Sequence, residues 1–320
     1  MANQYDNLFI HIGLPKSAST YLQSEIFPNL DCLNIPRFDP NINKLFEDYF
    51  HRPSLDYTSD VNALLSQSNG QVIFSNERPD IYTSDSRLRS TFTQMYKHLF
   101  PGAKIILIIR RQDNFIESLY ANMVMNGAWY SPLFYIGKKS YSMRNPKVMR
   151  FPTVNLDYLD WLEHVTELHS LFGKENVLVL PFELLTESST KFVKKITDFM
   201  NIPYPTSLPP AKKVNNSLCT GAIHFRRILN RFINSETNPF YFLIENPFRN
   251  SNNNLLKTIS KYINFNYPLK YFFRVNCNKK IYSNKIRQEI LHNYSNSNQL
   301  LQKLIDTDLE KYGYINRSKM

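Results

Sequence analysis

Short, unbroken apolar runs recur along the first two thirds of the chain, with helical patterns between them. Asn7–Ile12 is apolar and bounded by Gly13 and Pro15, which predicts a buried strand ending in a tight loop. Gln71–Ser75, Lys104–Ile109 (KIILII) and Asn176–Leu180 (NVLVL) predict three more strands. Helices are expected over Ser19–Phe27, where Tyr21, Leu22 and Ile26 lie near one face, and over Phe115–Met125, Leu156–Phe172 and Phe182–Met200. Strands that alternate with helices imply a parallel sheet with helices on both faces. Strands that are apolar throughout suit a sheet covered on both sides.

The pattern changes after Pro203. Pro203, Pro205, Pro209 and Pro210 form a stiff connector, and beyond it Thr220–Ile233, Asn254–Ile263 and Asn284–Leu309 read as helices with no convincing strand. The expected organisation is an α/β core over residues 1–210 and a helical C-terminal extension over 211–320 packed on that core.

Composition narrows the class. Charged residues make up 20% of the 320 positions and aromatics 14%, enough apolar payload to offset ordering entropy, so a disordered chain is excluded. With 8 Gly, repeats and low-complexity linkers are also excluded. The formal charge of +11 sits in the C-terminal third: from Ala211 onward there are 18 Lys and Arg against 6 Asp and Glu. That surplus reads either as a solvated basic face or as a surface for anions, namely nucleotide phosphates, an acidic glycan or a peripheral contact with a membrane. No nucleic-acid-binding motif accompanies it. Cys32, Cys219 and Cys277 are far apart, which reads as neither a disulfide framework nor a zinc site and fits a reducing compartment. The polar start Met1–Asn7 reads as no signal peptide, and no apolar stretch has the length to cross a bilayer. A cytoplasmic location with no transmembrane segment is the expectation.

Candidate chemistry clusters at predicted strand ends. The segment Gly13-Leu14-Pro15-Lys16-Ser17-Ala18-Ser19-Thr20 joins the first strand to the first helix. Such a turn gathers backbone N–H groups for an anion, Lys16 adds a full charge, and Ser17, Ser19 and Thr20 add hydroxyls; an ordinary strand-to-helix loop with a capping serine is the plain alternative. It is not the NTPase phosphate loop, whose Lys follows the second Gly directly and precedes a Ser or Thr. The acidic metal ligand expected of such enzymes after a strand is replaced by Arg110 and Arg111, so no metal is implied. Arg110 at the end of KIILII offers a bidentate fork for a phosphate, with Ser118 in the following helix; a solvated arginine pair and a surface serine are the alternative. Ser75-Asn76-Glu77-Arg78-Pro79 puts a carboxylate at a strand's carboxyl end, which suits a general base, a helix cap or a salt bridge to Arg78. His11 lies in the first strand and reads as a satisfied core residue, and His164 and His169 fall in a helix. Trp129, Tyr130, Phe134, Tyr135, Lys138, Lys139, Tyr141, Arg144 and Arg150 fall between Asn126 and Asn155, as a surface loop or as a platform for an acceptor.

Taken together, these segments resemble the sulfotransferases that use 3′-phosphoadenosine 5′-phosphosulfate (PAPS), in particular bacterial members and the heparan-sulfate-type Golgi enzymes. HIGLPKSASTYLQ resembles the family's 5′-phosphosulfate loop, IIRRQDNFIESLY its 3′-phosphate motif, and SNERP the glutamate-bearing segment of its carbohydrate branch. LFGKENVLVLPFELL, TKFVKKITDFMNI, Asn215-Asn216-Ser217 and SNQLLQKLIDTDLEKYGY extend the likeness over residues 7–235 and 285–314, leaving 236–284 unexplained.

The resemblance implies a P-loop-like α/β fold and sulfuryl transfer from PAPS, without a metal, to a hydroxyl or amine, with a carbohydrate or glycolipid acceptor. It implies Glu77 as base, Lys16 on the bridging oxygen and sulfuryl group, Ser17, Ala18, Ser19 and Thr20 on the 5′-phosphate, and Arg110 and Ser118 on the 3′-phosphate. Ala18 stands where the family usually has Gly, which is tolerated if φ is negative there. Arg111-Gln112 replaces a commoner residue-Pro pair, and Lys212, Lys213 or Asn216 stands in for an absent glycine-rich phosphate loop. A nucleotide kinase-like P-loop enzyme and an inactive nucleotide-binding protein of the same fold are the competing classes.

Overall fold

The computed structural model describes residues 7–36, 39–66, 70–76, 86–138, 153–154, 156–208, 219–233 and 280–315, without the side chains of 86–88. Its centre is a five-stranded, wholly parallel sheet of β1 (Leu8–His11), β2 (Leu33–Ile35), β3 (Val72–Ser75), β4 (Lys104–Ile109) and β5 (Val177–Pro181), ordered β2-β3-β1-β4-β5. The chain moves out from β1 to β2, returns to β3 beside β1, and then crosses to β4 on the other side. The order therefore reverses at β1, and the carboxyl end of that strand is where an open α/β sheet leaves a crevice. The α/β reading, with a parallel sheet flanked by helices and helices in the C-terminal part, is what the structure shows.

Alternation along each strand covers both faces. Phe9, Ile73, Ile106 and Ile108 join Leu22, Ile26, Phe192, Val193, Ile196 and Met200 in one buried cluster, so the helix Ser189–Met200 covers that face. On the opposite face Phe74 meets Phe46 and Phe100 at ring-centroid distances of 6.2 and 5.4 Å. Every residue from Ile105 to Ile109 is fully buried, each aliphatic contributing about 1.5–3 kcal/mol of burial.

Several boundaries differ from the sequence pattern. β2 was not expected: Leu-Asn-Ile is too short and too polar to register as a strand, and it forms because Leu33 to Ile35 pair with Val72 to Phe74. Expected as one helix, Phe182–Met200 is two, Phe182–Glu187 and Ser189–Met200, broken at Ser188, whose Oγ accepts from Lys191 N at 3.2 Å as an N-cap. Likewise the helix Trp161–Phe172 starts at Trp161 because Asp160 caps it, accepting from Leu162 N at 3.0 Å. The helix Gln112–Met125 starts three residues earlier than its apolar pattern. The expected helix Asn254–Ile263 lies outside the described residues.

The chain divides into two compact units, one of residues 1–112, 155–214 and 290–320, the other of 113–154 and 215–289. The first holds the sheet. In the second, Arg287 pairs with Asp113 at 2.5 Å and Glu117 at 2.6 Å, and donates to Asn114 Oδ1 at 2.8 Å. Asn230, just after the helix Thr220–Leu229, donates through Nδ2 to the carbonyls of Val124 at 2.7 Å and Ala128 at 2.9 Å. Cys219 is disulfide-bonded and Cys32 is free, a correction to the expectation of no disulfide: distance along the sequence does not measure distance in the fold. Among the described residues no helix is long and apolar enough to cross a membrane.

Candidate active site

The loop after β1 is unusual in its backbone. Lys16 and Ala18 both have positive φ, 65° and 72°, a region that costs a non-glycine residue about 1–2 kcal/mol. Ala18 thus adopts the left-handed conformation, so the negative φ under which an alanine is tolerated there is not met. Alternating backbone handedness of this kind turns successive N–H groups into an anion-binding concavity. The turn is tied down locally: Ser17 N donates to Leu14 O at 3.2 Å, Ser19 Oγ donates to the same carbonyl at 3.1 Å, and Leu22 N donates to Ala18 O at 3.0 Å. Gly13 is needed for space, since a Cβ there would sit 2.5 Å from Ser19 Oγ and 2.7 Å from His11 Cε1. Lys16 and Thr20 are exposed, Ser17 and Ser19 buried. Ser17 Oγ is buried without a hydrogen-bond partner among the described residues, an orphaned polar atom in the loop where the resemblance places a phosphate.

Beneath the loop lies a polar network inside the sheet. His11 ends β1 opposite Ser75 at the end of β3, and His11 Nδ1 lies 2.7 Å from Ser75 Oγ, which also accepts from Gln23 Nε2 at 2.8 Å. Burial alone drives the His11 pKa down to about 3, so the ring is neutral. His11 is satisfied at Nδ1, whereas its buried Nε2 has no hydrogen-bond partner among the described residues.

β4 delivers the second motif. The half-buried Arg110 guanidinium donates through Nη1 to the carbonyl of Lys16 at 2.5 Å and lies over the Phe182 ring at 4.7 Å, while Trp161 Nε1 donates to the Arg110 carbonyl at 2.9 Å. Arg111 turns elsewhere: its Nη1 donates to Tyr312 O at 3.3 Å and its backbone N–H to Glu183 Oε1 at 3.2 Å. Gln112 is locked to Asn298, Nε2 to Oδ1 at 3.0 Å, and Asn298 Nδ2 donates to Tyr314 O at 2.9 Å.

Of the residues singled out in the sequence, the structure brings Lys16 and Arg110 together, with Ser17, Ala18, Ser19 and Thr20 on the same loop. Ser118 is half-buried on the helix Gln112–Met125, in the second unit. Glu77, Arg78, Lys212, Lys213 and Asn216 lie outside the described residues, as do Lys139, Tyr141, Arg144 and Arg150. The acceptor-platform reading fails for Tyr130 and Tyr135, which are buried: Tyr120 donates to Tyr130 O at 2.8 Å, and its ring lies 5.6 Å from that of Tyr135. Their role is packing. Trp161, Phe182, Gln23 and Asn298 were not singled out from the sequence; Phe182 directly follows an expected strand, but nothing in an apolar ring signals contact with Arg110. Among the described residues no three His, Cys, Asp or Glu side chains gather to hold a metal ion.

A parallel sheet that reverses at β1, carrying an anion-type loop beside an arginine, defines a P-loop-like α/β protein. The chain belongs to the sulfotransferase domain family, which matches residues 7–218. It is 25% identical over 201 residues to a 3-alpha-hydroxysteroid sulfotransferase of Cavia porcellus, covering 60% of this chain, and 25% identical over 197 residues to a 3-beta-hydroxysteroid sulfotransferase of the same organism. The chain spans 58% of the length of these curated relatives. Among solved structures it is similar to a sulfotransferase from Alicyclobacillus acidocaldarius, with TM-score 0.44 and 15% identity over 65% of this chain and 86% of that one. A mouse sulfotransferase complexed with PAP gives TM-score 0.35 and 17% identity over 62% and 60%.

Proposed function

We propose that this chain transfers a sulfuryl group from PAPS to a hydroxyl or amine acceptor. The observation that carries the reading is the loop Lys16–Ala18, left-handed at both ends with a buried orphan hydroxyl at Ser17, joined to Arg110 across the end of the sheet. PAPS supplies an activated sulfuryl group and two separated phosphates. The loop amides with Ser17, Ser19 and Thr20 would hold the 5′-phosphate, and Arg110 with Ser118 the 3′-phosphate. Lys16, exposed at the head of the loop, would neutralise the bridging oxygen as it takes up charge, a contribution of about 3 kcal/mol for one preorganised donor. In the transfer an acceptor oxygen forms a bond to sulfur while the bond from sulfur to the bridging phosphate oxygen breaks. The acceptor proton passes to the Glu77 carboxylate, and 3′-phosphoadenosine 5′-phosphate leaves.

The acceptor class follows from two different supports. The Ser75–Pro79 segment resembles the carbohydrate branch and favours a sugar hydroxyl on a glycan or glycolipid. The curated relatives are named for hydroxysteroids, which favours an apolar alcohol. Both are hydroxyl acceptors, and a mass-spectrometric screen of glycans, glycolipids and sterols with labelled PAPS separates them.

The nucleotide reading is tested by calorimetry without Mg²⁺. Tight binding of 3′-phosphoadenosine 5′-phosphate, with ATP and 5′-AMP much weaker, is the expected result. Equal affinity for 5′-AMP would remove the phosphate role given to Arg110 and Ser118, and Mg²⁺-dependent ATP binding would favour the kinase-like class.

A further inference from the structure

Arg110 makes a contact that phosphate recognition does not require. Its Nη1 is committed to the carbonyl oxygen of Lys16, a residue 94 positions away, at 2.5 Å. That carbonyl belongs to the first of the two left-handed residues of the loop. Left-handed non-glycine residues persist where surrounding structure over-determines them. Within the loop, the bonds from Ser17 N and Ser19 Oγ both anchor on Leu14 O, ahead of the strained pair, and Leu22 N holds Ala18 O behind it. The Lys16 carbonyl lies between these anchors, and a guanidinium from the neighbouring strand holds it. Arg110 is itself braced from two sides, by the Phe182 ring at 4.7 Å and by Trp161 Nε1 on its carbonyl at 2.9 Å. It presents a fixed donor rather than a mobile side chain.

We infer that Arg110 is a positioning residue for the loop, holding the Lys16 peptide in its left-handed form and so coupling the 3′-phosphate end of the nucleotide site to the 5′ end. The inference deepens the nucleotide reading above and rests on it for its ligand. A group that served the 3′-phosphate alone would be indifferent to a ligand lacking that phosphate. Arg110 as a clasp makes the loop, and therefore 5′-phosphate binding, depend on it as well.

Two measurements on the full chain test this. In nucleotide-free protein, hydrogen exchange of the backbone amides of residues 13, 14 and 16–20 is followed in wild type, Arg110→Gln and Arg110→Ala, with amides 177–180 of β5 as the internal control. The expected result is loop exchange at least about tenfold faster in both variants, with β5 at its wild-type rate. Loop exchange unchanged in Arg110→Gln, or raised equally in β5, overturns the clasp and leaves a general structural role. In the second measurement, the affinity for 5′-AMP, which has no 3′-phosphate, is expected to fall about fivefold or more in Arg110→Gln. An unchanged 5′-AMP affinity also overturns the coupling. If wild-type protein binds no nucleotide at all, the nucleotide reading fails, and the exchange measurement still decides whether Arg110 holds the loop.

Discussion

His11 and Ser75 face each other across the paired ends of β1 and β3, with Nδ1 and Oγ 2.7 Å apart, and the next residue, Asn76, donates its backbone N–H to His11 O at 3.0 Å. The strand that leads into Glu77 is thereby locked to the strand that leads into the Lys16 loop. The lock is sensitive to acid. His11 is held neutral by burial with its pKa near 3, and buried His164 is also pushed well below its usual value, by burial first and then by Arg89. An unfolded histidine takes up a proton as the pH falls through about 6.5, so the unfolded state binds more protons and stability declines on acidification. Stability from these two groups is complete above pH 6.5 and is lost progressively below it, by up to about 1.4 kcal/mol per pH unit for each. Urea unfolding between pH 7.5 and 5.5 should show this slope, and His11→Asn should reduce it by roughly half; a flat profile in wild type would place a charged or solvated ring at His11.

Ala18 gives a prediction of opposite sign. Its φ of 72° is strained for alanine and free for glycine, while glycine costs more entropy in the unfolded chain. The strain is the larger of the two, about 1–2 kcal/mol against about 0.5–1. Ala18→Gly should therefore raise stability by about 0.5–1 kcal/mol and keep nucleotide affinity. Gly13→Ala should instead lower stability by about 1–3 kcal/mol, because the new Cβ meets Ser19 and His11 inside van der Waals contact. Denaturant midpoints for the two variants decide the matter.

The adjacent arginines should separate cleanly. Arg110→Ala is expected to weaken binding of 3′-phosphoadenosine 5′-phosphate by about 2 kcal/mol or more, since a charged acceptor loses its partner. Arg111 points to the C-terminal turn, where its Nη1 meets Tyr312 O and a Cβ on Gly313 would come within 3.0 Å of it. Arg111→Ala should leave nucleotide affinity close to wild type and lower stability by about 1 kcal/mol. Calorimetry and denaturation on both variants would reveal a reversal of roles.

The parts of this fold that were legible in the sequence are those set by local physics. KIILII and NVLVL declared themselves as strands because five and four consecutive apolar residues have no other use at that length, and the loop after β1 stood out through Gly13, Pro15 and its hydroxyls. What depended on distant partners was hidden. Leu33–Ile35 is a strand only because β3 lies beside it. Tyr130 and Tyr135 read as a recognition surface in the sequence, but both are buried with Tyr120 packed against them. The positive φ of Ala18 contradicts its residue type, and Arg110's hold on the loop spans 94 positions. Such departures from local preference concentrate where function imposes a geometry.

The chemistry itself is tested by Lys16 and Glu77 as a pair. Lys16 lies exposed on a loop whose backbone geometry favours an anion, and its charge is proposed to act on the bound nucleotide and on the transition state alike. Lys16→Ala should weaken nucleotide binding and slow turnover together. Glu77 is proposed to act differently, taking a proton from the acceptor only as the new bond to sulfur forms. Glu77→Gln keeps the shape and removes the proton acceptor, and should leave the Kd for 3′-phosphoadenosine 5′-phosphate near wild type while lowering kcat by about 10²–10⁴. Loss at both steps for Lys16 and at one for Glu77 is the pattern that in-line transfer with a carboxylate base requires. Near-normal turnover of Glu77→Gln on the true acceptor would make Glu77 structural. Proton removal would then belong to another carboxylate or a histidine, and the support for a carbohydrate acceptor would go with it.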